Sequence, residues 1–314
     1  MSLRSVGARR PASSPYGERV ARLAFLGTPD MAVPPLRALA GAGHEIAVCV
    51  TRPDRRRGRG GQTTPSPVKV AATELGLRVT HDMDDVVTAG VELAVVVAYG
   101  RIIPARILAE VPMVNLHFSL LPRWRGAAPV ERAILAGDRV TGVCLMKVEE
   151  GLDSGPVYAV RTVPLDDDIT LAALRAQLVD VASDLVVASL ADGVAGLPRP
   201  EPQEGEITVA EKITKEDLHL DWRDPAGQLK RVVRLGHAWT TFRGKRLTVL
   251  EAAVDDAGVT LDGLPPGALR GPAVATGAGA LVLHTVQPES RSPMSADEWL
   301  RGARPAVSER LGTD

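Results

Sequence analysis

The chain carries two hydrophobic rhythms, and the change between them falls after Gly193. Before that point, short continuous apolar runs alternate with segments whose apolar residues recur every three or four positions. Arg22-Leu-Ala-Phe-Leu26 and residues 44–50 have strand character, separated by the turn Gly27-Thr-Pro-Asp30 and a helix predicted over 31–42. Ser66 can cap a second helix with Pro67 in its first turn, where the missing N–H costs nothing, and Gly76 closes it. Residues 93–98 are continuously apolar, as a parallel strand buried on both faces must be. Further strands are predicted over 113–118 and 141–148, with a helix over 128–136 between them. Leu171, Leu174, Leu178, Val181 and Leu185 share one face of a helix over 171–190. Strands alternating with helices predict a doubly wound, mostly parallel α/β sheet.

Beyond Gly193 the run Leu197-Pro-Arg-Pro-Glu-Pro202 cannot form a helix and reads as a stiff linker. Short β-type runs follow, including 247–254 and 280–286, divided by Gly- and Pro-rich turns and interrupted by one helix near 225–235. A small antiparallel β-barrel is the expected second domain. The organisation predicted is an extension over 1–21, an α/β domain over 22–196, a linker over 197–212 and a barrel over 213–314.

Composition narrows the class. Of 314 residues, 45% are hydrophobic, enough for two cores, and the net charge of −1 points to no partner. Cys49 and Cys144 both lie in apolar runs and make neither a disulfide framework nor a zinc site, so a reducing compartment and no metal are expected. No apolar run reaches the roughly 18 residues that suggest a membrane span. The first twenty residues are rich in Arg, Ser, Gly and Pro and lack the apolar segment of a secretory signal. A disordered extension and a cytoplasmic setting are expected, with an organelle-targeting tail as the alternative.

Gly27 is not followed by the further glycines of a dinucleotide-binding turn, which disfavours a nicotinamide cofactor. The chemistry concentrates instead in Val114-Asn-Leu-His-Phe-Ser-Leu-Leu-Pro-Arg-Trp-Arg-Gly-Ala-Ala-Pro129. Residues two apart on a strand share a face, so Asn115 and His117 project together while Val114, Leu116 and Phe118 take the apolar side. The carboxyl ends of strands in such sheets bind ligands, and two unused polar groups there would be costly. The competing reading is a histidine that only bonds a loop carbonyl. Glu149-Glu-Gly-Leu-Asp-Ser-Gly155 adds a carboxylate, Asp153, in a turn where Gly151 and Gly155 are expected to supply backbone freedom.

Together these stretches closely resemble the methionyl-tRNA formyltransferases, within the folate-dependent formyltransferase family. Further matches are Phe25-Leu-Gly-Thr-Pro-Asp30, Thr51-Arg-Pro-Asp54, Pro65-Ser-Pro-Val-Lys69, Val95-Val-Val-Ala-Tyr-Gly100 and Ala210-Glu-Lys-Ile-Thr-Lys215. Phe118, where a small residue is common, and a short connection between Leu77 and Leu93 depart from the pattern. The resemblance implies a Rossmann-like catalytic domain, an OB-like barrel, and Asn115, His117 and Asp153 as catalytic residues. It implies formyl transfer from 10-formyltetrahydrofolate to the methionine α-amine of initiator methionyl-tRNA, with no metal and no obligate protein partner, by a monomer. The folate is expected against the backbone of Val97, Ala98, Tyr99 and Gly100 and of Ser119, Leu120, Leu121 and Pro122.

Two basic patches would meet the tRNA. Arg52, Arg55, Arg56, Arg57 and Arg59 form one, with Asp54 its only acid, and the resemblance singles out Arg59. The other lies between Arg223 and Arg246. There Lys230, Arg231 and Arg234 are expected outside the apolar face of their helix, free for phosphates, together with Arg243 and Lys245. A formyltransferase acting on a small amine such as a sugar nucleotide, and a non-catalytic RNA-binding protein, are the alternatives.

Overall fold

The computed structural model describes residues 20–56, 63–255, 261 and 263–313. Arg57, Arg59 and nearly all of the predicted extension lie outside them. Ala21, assigned to that extension, is instead buried in the first core, and its N–H donates to His44 Nδ1 at 3.3 Å.

Strands β1 (Arg22–Gly27) and β2 (Glu45–Val50) are followed by a two-residue ladder, β3 (Arg55–Arg56) with β4 (Thr63–Thr64), then by β5 (Val79–Thr80). β6 (Leu93–Val97), β7 (Met113–His117), the short β8 (Arg125–Gly126), β9 (Val140–Lys147) and β10 (Val157–Pro164) come next. The main sheet has the order β10-β9-β7-β6-β1-β2-β5. Its β7-to-β5 part is parallel, whereas β9 runs antiparallel to both β7 and β10. The sheet is therefore mixed, with its antiparallel strands at one edge.

Alternation within each strand feeds two cores. Leu23 and Phe25 of β1, with Leu93, Val95 and Val97 of β6, face helices α1 (Val33–Gly41), α2 (Pro67–Glu74), α5 (Pro129–Ala136) and α6 (Leu171–Ser189). Ala24, Leu26, Ala94 and Val96 face the shorter α3 (Asp84–Thr88) and α4 (Ala105–Glu110). The Ser66 hydroxyl caps α2 by accepting from the Lys69 N–H at 3.1 Å, as the Ser-Pro sequence predicts.

After the linker come β11 (Val209–Ala210), helix α7 (Ala226–Val233), β12 (Ala238–Phe242), β13 (Lys245–Val254), β14 (Leu269–Arg270), β15 (Ala273–Ala275), β16 (Ala280–Pro288), β17 (Met294–Ser295) and α8 (Ala296–Ala303). β12 to β17 form an antiparallel sheet of order β12-β13-β16-β15-β14, with β17 also on β16. The outer strands β12 and β14 are not paired with each other among the described residues, so the sheet is open where a barrel was expected. β14 follows Pro265 and Pro266, which have no N–H to extend a ladder, and α7 and α8 cover the sheet instead. Trp222, Leu229, Phe242 and Trp299 fill a third core, that of this sheet. Leu135 of α5 packs against this core and the first, joining the two halves.

Candidate active site

In a doubly wound sheet the chain opens a crevice where successive strands leave in opposite directions, here between β1 and β6. The loop after β6 lies there, and the Thr28 hydroxyl donates to the Tyr99 carbonyl at 3.0 Å. Ala98 and Gly100 both have positive φ, 45° and 74°, which turns the backbone of this loop sharply.

On neighbouring β7, Val114 and Leu116 enter the first core with Phe118, while Asn115 and His117 take the opposite face beyond Met113. Asn115 is half-buried, and no hydrogen bond holds its amide among the described residues. His117 is 5% exposed, and its Nε2 lies 2.8 Å from the Trp124 carbonyl oxygen. The competing loop-carbonyl role of this histidine is thus real. It does not exhaust the ring, because Nδ1 lies 3.5 Å from Asp153 Oδ2, within ion-pair range but longer than a tight hydrogen bond. A carbonyl and a carboxylate both accept, so a ring with one proton can serve one of them and a ring with two can serve both. Nε2 is committed to Trp124, which leaves Nδ1 as the working nitrogen.

Asp153 reaches His117 from the connection between β9 and β10, which folds back over the Asn115 face. Its φ is 45°, and neither Gly151 nor Gly155 has positive φ, so the strained turn residue is the aspartate itself. Asp is among the few non-glycine residues that enter this region, at a cost of about 1–3 kcal/mol that the surroundings must offset. The Gly126 N–H donates to Asp153 Oδ2 at 2.8 Å. Gly126 has φ 117°, and a Cβ there would lie 2.9 Å from the Ala210 carbonyl oxygen, so no side chain fits. Trp124 also has positive φ, 63°. Three of the six non-glycine residues with positive φ among the described residues (Ala98, Trp124 and Asp153) therefore border this one site.

The loop between β7 and α5 is held from both sides. Ser119 is fully buried and its hydroxyl donates to the Arg123 carbonyl at 2.6 Å. Leu121–Pro122 is a cis peptide. Asp138 accepts from Arg123 Nε at 2.9 Å and from the Trp124 indole at 2.7 Å. The segment predicted as a linker is bonded along the other side. Glu201 and Val157 exchange backbone hydrogen bonds, the Thr208 hydroxyl accepts from the Trp124 N–H at 2.8 Å, and β11 pairs in parallel with β8. Trp124 and Gly126 lie within the sequence stretch already singled out, but their part is played by backbone groups that side-chain reasoning does not reveal. Among the described residues, no cluster of three or more His, Cys, Asp or Glu is placed to hold a metal.

Residues 21–190 match the family described as formyl transferase, and residues 212–304 match the formyl transferase C-terminal domain. The methionyl-tRNA formyltransferase of Ruegeria pomeroyi is 41% identical over 90% of this chain and 97% of its own length. The chain belongs to the methionyl-tRNA formyltransferase family. HypX from Aquifex aeolicus, solved in complex with tetrahydrofolic acid, superposes with a TM-score of 0.62 at 21% identity, covering 92% of this chain and 48% of HypX. The methionyl-tRNA formyltransferase from Clostridium thermocellum gives a TM-score of 0.54 at 16% identity, over 76% and 95% of the two chains. At these identities the two structures show a common fold.

For this member of the methionyl-tRNA formyltransferase family, the basic residues divide unexpectedly. Arg234 is 7% exposed, and its guanidinium donates to the carbonyls of Ile169 at 2.8 Å and Asp166 at 2.7 Å. Burial pulls its pKa below the usual value, against the opposing pull of Asp167, Asp168 and Asp166. Lys230 pairs with Asp168. Arg231 donates to Gln228 at 3.2 Å and lays its guanidinium against Gly137. These side chains, expected to be free for phosphates, instead fasten α7 to the α/β domain: Lys230 and Arg234 meet the acidic turn before α6, and Arg231 packs on the end of α5. A cleft of about 620 Å³ opens beside them between the domains, and none of Asn115, His117 and Asp153 lines it. Arg243 and Lys245 are exposed on the open sheet, Arg243 in a two-pronged pair with Glu309 and over the Phe242 ring.

Proposed function

We propose that the chain transfers the formyl group of 10-formyltetrahydrofolate to the methionine α-amine of initiator methionyl-tRNA. The observation that carries this reading is the Asn115 amide, unpaired among the described residues, on one strand face with a His117–Asp153 pair. Both substrates are consumed: the bond between the formyl carbon and N10 breaks, and one between the formyl carbon and the amine nitrogen forms. The amine gives up one proton and N10 gains one.

Asn115 has an N–H free to meet the negative charge that grows on the formyl oxygen, a contribution of about 2.7–4 kcal/mol for a well-placed donor. His117 Nδ1 and Asp153 Oδ2 together can accept the amine's proton and hold it for return to N10. The backbone of Val97, Ala98, Tyr99 and Gly100, turned by the positive φ of Ala98 and Gly100, and that of Ser119, Leu120, Leu121 and Pro122 would take a flat, amide-edged pterin in this reading. Arg55 and Arg59 of the basic loop, with Arg243 and Lys245 on the open sheet, are the phosphate contacts in this reading. It takes residues 22–196 as catalytic and 213–314 as an OB-like tRNA module, in a cytoplasmic monomer.

The test mixes purified protein with methionyl initiator tRNA and 10-formyltetrahydrofolate and measures formylmethionine after deacylation. Formylation of small amino sugars but not of the tRNA would overturn the assignment.

A further inference from the structure

Gln203 stands in the Pro-rich segment after the catalytic domain, fifty residues beyond Asp153, yet it is bonded to the turn that carries Asp153. Its Nε2 donates to the carbonyls of Asp153 and Gly155, both at 2.8 Å. Its Oε1 accepts from Arg125 Nε at 3.0 Å and from Arg125 Nη2 at 2.7 Å. The residue after Arg125 is Gly126, whose N–H holds the Asp153 carboxylate. One amide thus closes a ring from the Asp153 main chain through Arg125 and Gly126 to the Asp153 side chain. Asp153 needs such a ring, because a left-handed φ of 45° persists only where its neighbours fix it. The turn offers no other side-chain donor to these two carbonyls among the described residues.

We infer that Gln203 is a positioning residue for the formyl transfer proposed above, fixing the Asp153 turn so that the carboxylate meets His117. It touches no reacting atom. The polar atoms divide the work: the Nε2 end holds the turn, and the Oε1 end ties the segment to Arg125.

That division gives the test. Gln203→Glu keeps an acceptor for Arg125 and loses both donors, whereas Gln203→Ala loses both ends. Single-turnover formylation, folate and tRNA dissociation constants, and thermal melting are measured for wild type and for each variant, alone and with Asp153→Asn. Wild-type activity establishes the reaction independently, so its absence would sink the proposed function and not this ring. With wild type active, both Gln203 variants should lose about 10- to 100-fold in rate, the scale of a small misplacement of a reacting group. Dissociation constants should stay within about threefold, and Gln203→Glu should be at least as slow as Gln203→Ala. In the Asp153→Asn background the further loss should shrink to less than about threefold, as for groups that act as one unit. Near-normal turnover in Gln203→Glu, or an equal loss in both backgrounds, would make Gln203 a tether of the segment and overturn the inference. If Gln203→Ala melts too early to assay, Gln203→Glu and its pairing with Asp153→Asn decide alone.

Discussion

Strand β7 and helix α7 each present a row of polar side chains beside an apolar face, and the structure treats them oppositely. On β7 the Asn115 amide has no partner among the described residues, and His117 keeps one ring nitrogen in a loose 3.5 Å contact with Asp153. On α7, Lys230, Arg231 and Arg234 all have partners within the chain, and Arg234 is buried. A buried polar group left unsatisfied costs about 1–3 kcal/mol, so it persists only where something else repays it. The contrast teaches that charge on a helix surface says less about ligands than a half-buried amide with nothing bound to it.

The sharpest way to break the contrast is at Asp153. Asp153→Asn keeps the size and removes the basic oxygen facing His117, so single-turnover formylation should fall about 10²- to 10⁴-fold, the range of a general acid–base group. Folate and tRNA dissociation constants should move far less. Near-normal turnover would reduce Asp153 to a turn former and leave β7 no different in kind from α7.

On the other side, Arg234→Ala should destabilise the fold by about 2 kcal/mol, since two carbonyls lose a charged donor. Denaturant unfolding reads this, and tRNA affinity of the folded fraction should hold. A stable variant with weakened tRNA binding would return Arg234 to the phosphate contacts. Arg59→Ala should lower the salt-dependence slope of tRNA binding by about one unit with folate affinity intact, as for one phosphate contact. An unchanged slope would make the basic loop a solvated face.

The smallest effect concerns pH. Burial lowers the His44 pKa from its usual value of 6.5, and its Nδ1 accepts from the Ala21 N–H. The unfolded chain then binds more protons as pH falls through that range, so stability should decline there, modestly. Replacing His44 with Gln should flatten that part of the melting-temperature profile, and an unaltered profile would discount the group.

Much of this was legible in the sequence for physical reasons. Continuous apolar runs and a Ser-Pro cap mark β6 and α2 because burial and capping are local. The shared face of Asn115 and His117 follows from the two-residue period of a strand. Other features were not legible. Arg234 and Lys230 fall outside the apolar stripe of α7, and nothing local discloses that the acidic turn at 166–168 meets them. The open sheet depends on which strands fail to pair, a property of register across tens of residues. The sequence points to the flanking glycines as the source of backbone freedom because glycine is the usual occupant of such turns, whereas the left-handed residue is Asp153 itself, bonded to Gly126 and Gln203.

The chain from Glu201 to Ala210 reads as a spacer, but it forms one wall of the loop that holds Trp124 and Gly126. Anyone dividing this protein into exchangeable modules would cut at the prolines near Leu197, and the catalytic half would lose part of its own scaffold. A functional graft would have to carry residues 201–210 with the upstream half. Lineages that recombine at this junction should accordingly preserve the segment's match to the loop more strictly than its match to the sheet that follows.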